Sequence, residues 1–220
     1  MRSHPKLILT LVKKDFQIDW RQKHPFTAIL LYVVSTIFTV YMSFNALINS
    51  AVWNALYWII LLFIATMALG RSFLQEERRQ LYYYFTVPPG VLILSKLIYS
   101  FLNLLLLGVL GLVVYTILMG YPSFSMGLFF LNFINGVLGL SIAFTLIASL
   151  AVRTQQKGNM IAVLGFPVIL PTLLLAVRNS KSIVQGAVWS EINSNSLVLL
   201  AVNAIILSLT LILFPYSWKS

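Results

Sequence analysis

Six apolar runs, at residues 26–48, 52–72, 91–119, 126–152, 160–177 and 197–214, take up most of this sequence. Each is near or above the roughly 20 residues that a helix needs to cross hydrocarbon. They are apolar all round, unlike the alternating segments of about 10 residues that build a transmembrane barrel. Backbone polar groups inside a bilayer must be satisfied within the segment, so runs of this kind have to be helices. Only 9% of the residues are charged, against about 25% in a soluble domain. The expected fold class is an all-α polytopic membrane protein with six transmembrane helices. No linker, low-complexity tract or internal repeat divides the chain, so residues 1–220 read as a single domain.

Lysine and arginine set the orientation. Arg2, Lys6, Lys13, Lys14, Arg21 and Lys23 precede the first run. Arg71, Arg78, Arg79 and Lys96 flank the second connection, Arg153 and Lys157 the fourth, and Lys219 the last run. The opposite side has only Arg178 and Lys181. By the positive-inside rule both termini are cytoplasmic. A multi-pass membrane protein is expected. The same rule accounts for the net charge of +10 without invoking nucleic acid. The outer connections are short at 49–51 and 120–125 and longer at 178–196, where Trp189 and Glu191 suggest a short interfacial helix.

Residues 4–24 read as an amphipathic helix ahead of the first span. Leu7, Ile8, Leu11, Val12, Phe16 and Ile18 fall on one half of the helical wheel. Lys6, Thr10, Lys13, Lys14, Gln17 and Arg21 fall on the other. Asp15 and Asp19 land on the apolar half and break the pattern. Such a helix either lies in the cytoplasmic headgroup layer or is a polar tail held inside by charge. Pro25 marks the entry to the membrane. The leading residues lack the short apolar core and small-residue site of a cleavable signal peptide.

Chemistry is mostly excluded. Intramembrane Asp, Glu and His mark proton relays and ion paths, and the runs contain none. Lys96, near the cytoplasmic end of the third run, is expected to snorkel. The chain has no cysteine, hence no disulfide or thiolate metal site. No Gly-rich phosphate loop ending in Gly-Lys-Ser/Thr is present. No catalytic residue and no metal site are expected, and any ATP must be hydrolysed by another chain.

The segment Gly70–Gly90 is then the natural place for a partner. Glu76, Glu77, Arg78 and Arg79 cannot lie cheaply in hydrocarbon. A helix is predicted over Phe73–Tyr84, with charges in its middle and Tyr82, Tyr83 and Tyr84 after them. Tyrosines of this kind suit an interface, though an ordinary loop with interfacial tyrosines has the same composition. Pro88 and Pro89 stop the helix. Elsewhere, Gly108, Gly111, Gly127, Gly136 and Gly139 allow close helix packing. Asn103, Asn132 and Asn135 either bond to neighbouring helices or line a translocation path. Pro167 and Pro171 predict a kinked fifth span, as a moving part or a static bend.

Two stretches carry a family likeness. One runs from Arg71-Ser-Phe73 through Glu76-Glu77 and Leu81 to Pro88 and Lys96. The other is Leu164-Gly-Phe-Pro167-Val-Ile-Leu-Pro171-Thr-Leu-Leu. With them, the chain resembles CcmB, the permease of the ABC-type heme exporter of cytochrome c maturation, over essentially its whole length. Where that family often has a glycine after the acids, Arg78 and Arg79 stand here. The resemblance implies an ABC-2-type permease fold, in which residues 73–90 form a coupling loop. Arg71, Phe73, Glu76, Glu77, Arg78, Arg79, Leu81, Tyr82 and Pro88 would meet a CcmA-type ATPase subunit there. It also implies a second permease copy and CcmC, CcmD and CcmE-type partners. The output would be heme export or release of a heme-loaded chaperone. The alternatives are a permease for a lipid, polysaccharide or drug, or a non-transporting scaffold. Heme would be a handled ligand rather than a bound cofactor. The spans hold no His, and Met42, Met67, Met119 and Met160 are unpaired, which leaves no stable axial site.

Overall fold

The structure is a computed structural model that describes residues 4–22, 24–44, 49–69, 87–120, 125–151, 157–187 and 189–219. Seven helices account for nearly all of them: α1 His4–Gln22, α2 His24–Phe44, α3 Ser50–Leu69, α4 Pro89–Met119, α5 Met126–Ala151, α6 Lys157–Val184 and α7 Trp189–Lys219. The described residues contain no strand, as the uniformly apolar runs require.

Five of the helices are long and apolar enough to cross a bilayer: Phe26–Phe44, Ser50–Leu69, Pro89–Met119, Met126–Ala151 and Glu191–Pro215. Six spans were expected. The other run, 160–177, lies within α6. That helix continues beyond it into Arg178-Asn-Ser-Lys181, which makes it the most polar of the six at one end. The expected long connection at 178–196 is also replaced. Its first part extends α6, and Trp189 and Glu191 form the first turn of α7. Gly186, at φ +92°, turns the chain between them, a conformation that disfavours residues with a Cβ.

The bundle is arranged around α5. Most of that span is buried, whereas most of α2 is exposed. α5 packs on α3, α4, α6 and α7, and α4 packs on α1, α2, α3, α5 and α7. Exposed Leu94, Ile98, Leu102, Leu106, Leu110, Val113 and Ile117 form a stripe along α4 at helical spacing. Such a stripe faces lipid when the helix spans a membrane.

Small residues set the closest approaches. A Cβ on Gly136 would stand 2.4 Å from the Trp58 ring, and one on Gly139 would stand 2.2 Å from Asn203 Oδ1. On Gly108 it would meet Phe133 at 2.9 Å. The packing role expected of these glycines holds there and at Gly111, which faces Ile64. Gly127 has nothing within 4 Å and has no such role.

Candidate functional site

The segment singled out in the sequence leads into α4. Arg71, Phe73, Glu76, Glu77, Arg78, Arg79, Leu81 and Tyr82 lie outside the described residues; Pro88 lies within them. Its carbonyl accepts from the Val91 and Leu92 amides at 3.0 and 3.2 Å. Pro89 takes the first helical position, where the missing N–H costs nothing.

Two turns into α4, Lys96 departs from expectation. A lysine near the end of a span should snorkel to water. Here only 3% of its side chain is exposed, and Nζ lies 2.9 Å from Asp15 Oδ2, itself 7% exposed. Asp15 also pairs with Lys14 at 3.0 Å. One turn along each helix, Tyr99 donates its hydroxyl to Asp19. Asn103 then donates to the Tyr99 hydroxyl at 3.4 Å. Phe16 meets Tyr99 edge to face, with ring centroids 5.1 Å apart.

The two acids that broke the amphipathic pattern of α1 are therefore its docking groups. The apolar half of α1 is turned to the same place: Leu11 is buried against the bundle with Leu7 and Ile8 packed beside it, and Val12 is buried as well. Leu9 and Trp20 are left exposed beside the lysines, at 73% and 75%. The sequence signal was present as two acids four apart on the wrong face. What it lacked was the partner cation, hidden in an apolar run 81 positions from Asp15.

A second polar system lies deeper in the bundle and is wholly neutral. Trp58 Nε1 donates to Ser180 Oγ at 2.7 Å, and Ser180 donates to Asn54 Oδ1 at 2.6 Å. Asn54 donates to the Val177 carbonyl at 3.1 Å. On the next face of α6, Asn179 donates to Asn132 Oδ1 at 2.8 Å and to Ser196 Oγ at 2.9 Å. Asn132 donates to the Ala176 carbonyl at 3.0 Å. Asn203 reaches both the carbonyl and the side-chain oxygen of Asn135, at 3.0 and 2.9 Å. This seam ties α3, α5, α6 and α7 together. Asn132 and Asn135 thus bond to neighbouring helices, the first of the two readings given to them, whereas Asn103 bonds to Tyr99 on its own helix. Asn54 and Asn203 were missed, because an isolated amide in an apolar run has no distinguishing spacing; Asn179 and Ser180 were missed because they fall in the stretch 178–196, read as an outer connection. Pro167 and Pro171 both lie inside continuous α6, on the stretch before the seam.

Towards the Gly120 end, aromatic rings fill the core. Trp53 lies 5.0 Å from Tyr115 and 5.8 Å from Phe129, centroid to centroid. The polar edges are all satisfied: Trp53 Nε1 donates to the Gly120 carbonyl at 3.2 Å, Tyr57 to that of Gly108 at 3.2 Å, and Tyr115 to that of Trp53 at 2.9 Å. Among the described residues, no three His, Asp or Glu side chains come together in a way that would hold a metal ion.

Compared with known families, residues 6–219 match the model described as CcmB protein. That is essentially the whole sequence. The chain belongs to the CcmB family. Neither the curated proteins nor the solved structures give a match. As a member of that family it is a multi-pass membrane protein and a transporter subunit, the heme exporter permease of cytochrome c maturation. CcmB proteins work with other components of that system.

Proposed function

We propose that this chain couples ATP hydrolysis on a separate CcmA-type subunit to heme export or to release of a heme-loaded chaperone. The observation that carries this reading is the position of Pro88. The charged segment ends there, and α4 begins without a break. A load placed on that segment therefore enters the helix that contacts α1, α2, α3, α5 and α7.

In this reading residues 73–90 are the coupling loop. Glu76, Glu77, Arg78 and Arg79 supply docking charges to the ATPase, while Arg71, Phe73, Leu81 and Tyr82 supply contact area. The chain acts as one transmembrane domain in the bacterial inner membrane, with both termini cytoplasmic, paired with a second copy. It works beside CcmC, CcmD and CcmE-type proteins, has no catalytic centre of its own, and keeps no heme. The family membership and the missing phosphate loop both support a division of labour between permease and ATPase. The family also favours heme over a lipid, polysaccharide or drug.

The test is co-purification from membranes. Glu77→Lys and Arg78→Glu should each insert normally and lose the ATPase subunit. Normal retention of that subunit by both variants overturns the coupling role.

A further inference from the structure

The contact between α1 and α4 contains more charge than attachment requires. Leu7, Ile8, Leu11 and Phe16 already give α1 an apolar grip. Burying Lys96 against Asp15 adds little to stability, since desolvation offsets most of the attraction and apolar replacements of buried pairs are often neutral or better. Buried polar contacts are better suited to fixing register. Here they do so at two levels. Asp15 and Asp19 are four apart on α1, hence on one face, and they meet Lys96 and Tyr99, three apart on α4. Two contacts a turn apart oppose both sliding and rolling of one helix on the other.

Their place along the chain is equally specific. Lys96 stands seven residues after Pro89, roughly 10 Å along the helix. The pair therefore grips α4 in its first turns after Pro88. On the other side of the contact, α1 leads into α2, which packs on both α3 and α4.

We propose that Asp15 and Lys96, backed by Asp19 and Tyr99, are positioning residues that carry a displacement of the loop before Pro88 into α1 and α2. The proposal rests on the coupling reading above. Neither the family match nor the motifs that carry the resemblance assign a role to this set of four.

The experiment uses the full complex in membranes. It measures three quantities: retention of the ATPase subunit, ATP hydrolysed, and cytochrome c matured. Asp15→Leu with Lys96→Met replaces the pair by apolar groups. Asp15→Lys with Lys96→Asp restores it in reverse. Tyr99→Phe removes the hydroxyl that meets Asp19 and Asn103 and leaves the Asp15–Lys96 pair in place. The apolar double variant should keep the ATPase subunit within twofold but mature at least tenfold less cytochrome per ATP. The reversed pair should recover most of that ratio, and Tyr99→Phe should lose about threefold. A wild-type ratio in the apolar double variant overturns the proposal. So does a reversed pair that accumulates normally without recovery. If the apolar double variant fails to accumulate, Tyr99→Phe decides, and a wild-type ratio there overturns it. If the wild-type chain itself retains no ATPase subunit, the coupling reading fails, and this proposal fails with it by a distinguishable route.

Discussion

At the end where α1 crosses α4, the bundle is held by opposite charges, with Lys96 buried against Asp15. In the middle and at the Gly120 end it is held by amides, indoles and phenols, all neutral. The difference follows from solvent. Neutral amides can be buried at modest cost once each finds a partner. Charges lose far more on burial and persist only as pairs. The neutral half can be assembled once and left closed. The charged half keeps strong groups in an arrangement that a small shift would unbalance.

The comparison can be broken from either side. The largest effect is expected at Trp53→Ala, which empties the aromatic core and should cost about 3–5 kcal/mol. It is read as early loss of the monodisperse peak in temperature-ramped size-exclusion chromatography. A wild-type profile would mean the aromatic cluster is not the anchor of that half. Lys96→Met alone leaves Asp15 without its α4 cation and should cost about 3–5 kcal/mol in the same assay. The apolar double replacement at both positions should recover most of that loss. An equal loss in single and double variants would mean that packing, not charge, governs the α1 contact.

Asn179→Leu strips donors from Asn132 and Ser196 and should cost about 1–3 kcal/mol. Here the read-out is the denaturant midpoint in detergent. No shift would place the seam among polar contacts that the unfolded chain replaces equally well. The smallest effect belongs to Gly127→Ala, which meets open space and should stay within about 0.5 kcal/mol. A large loss there would show that the open side of that helix end is covered in the membrane.

Much of the fold was legible because lipid imposes a simple rule. Uniform apolar runs gave the helices, and α4 and α5 match their predicted bounds to within two residues. The interior was harder to read. In a chain whose exterior is apolar, hydropathy no longer tells inside from outside, so Leu94 on the surface and Leu104 in the core look alike. Polar residues carry the information instead. Asn132 and Asn135 were visible for that reason, whereas their partners Asn179 and Ser196 sit in a stretch read as an outer connection. Asp15 and Asp19 were noticed as defects in a pattern. Their meaning depends on Lys96, and long-range pairing of single charges leaves no local periodicity.

The tight turn at Gly186 has a consequence for biosynthesis. Among α2 to α7, α6 alone is not one of the helices long and apolar enough to cross a bilayer among the described residues. It contains Pro167 and Pro171 and has Arg178-Asn-Ser-Lys181 in its last two turns. α7 contains the most apolar span of the five. With so short a turn between them, the two helices can enter the membrane as one hairpin, the second compensating for the first. Asn179 would then find Ser196 within a single insertion step, before the remainder of the bundle closes around them.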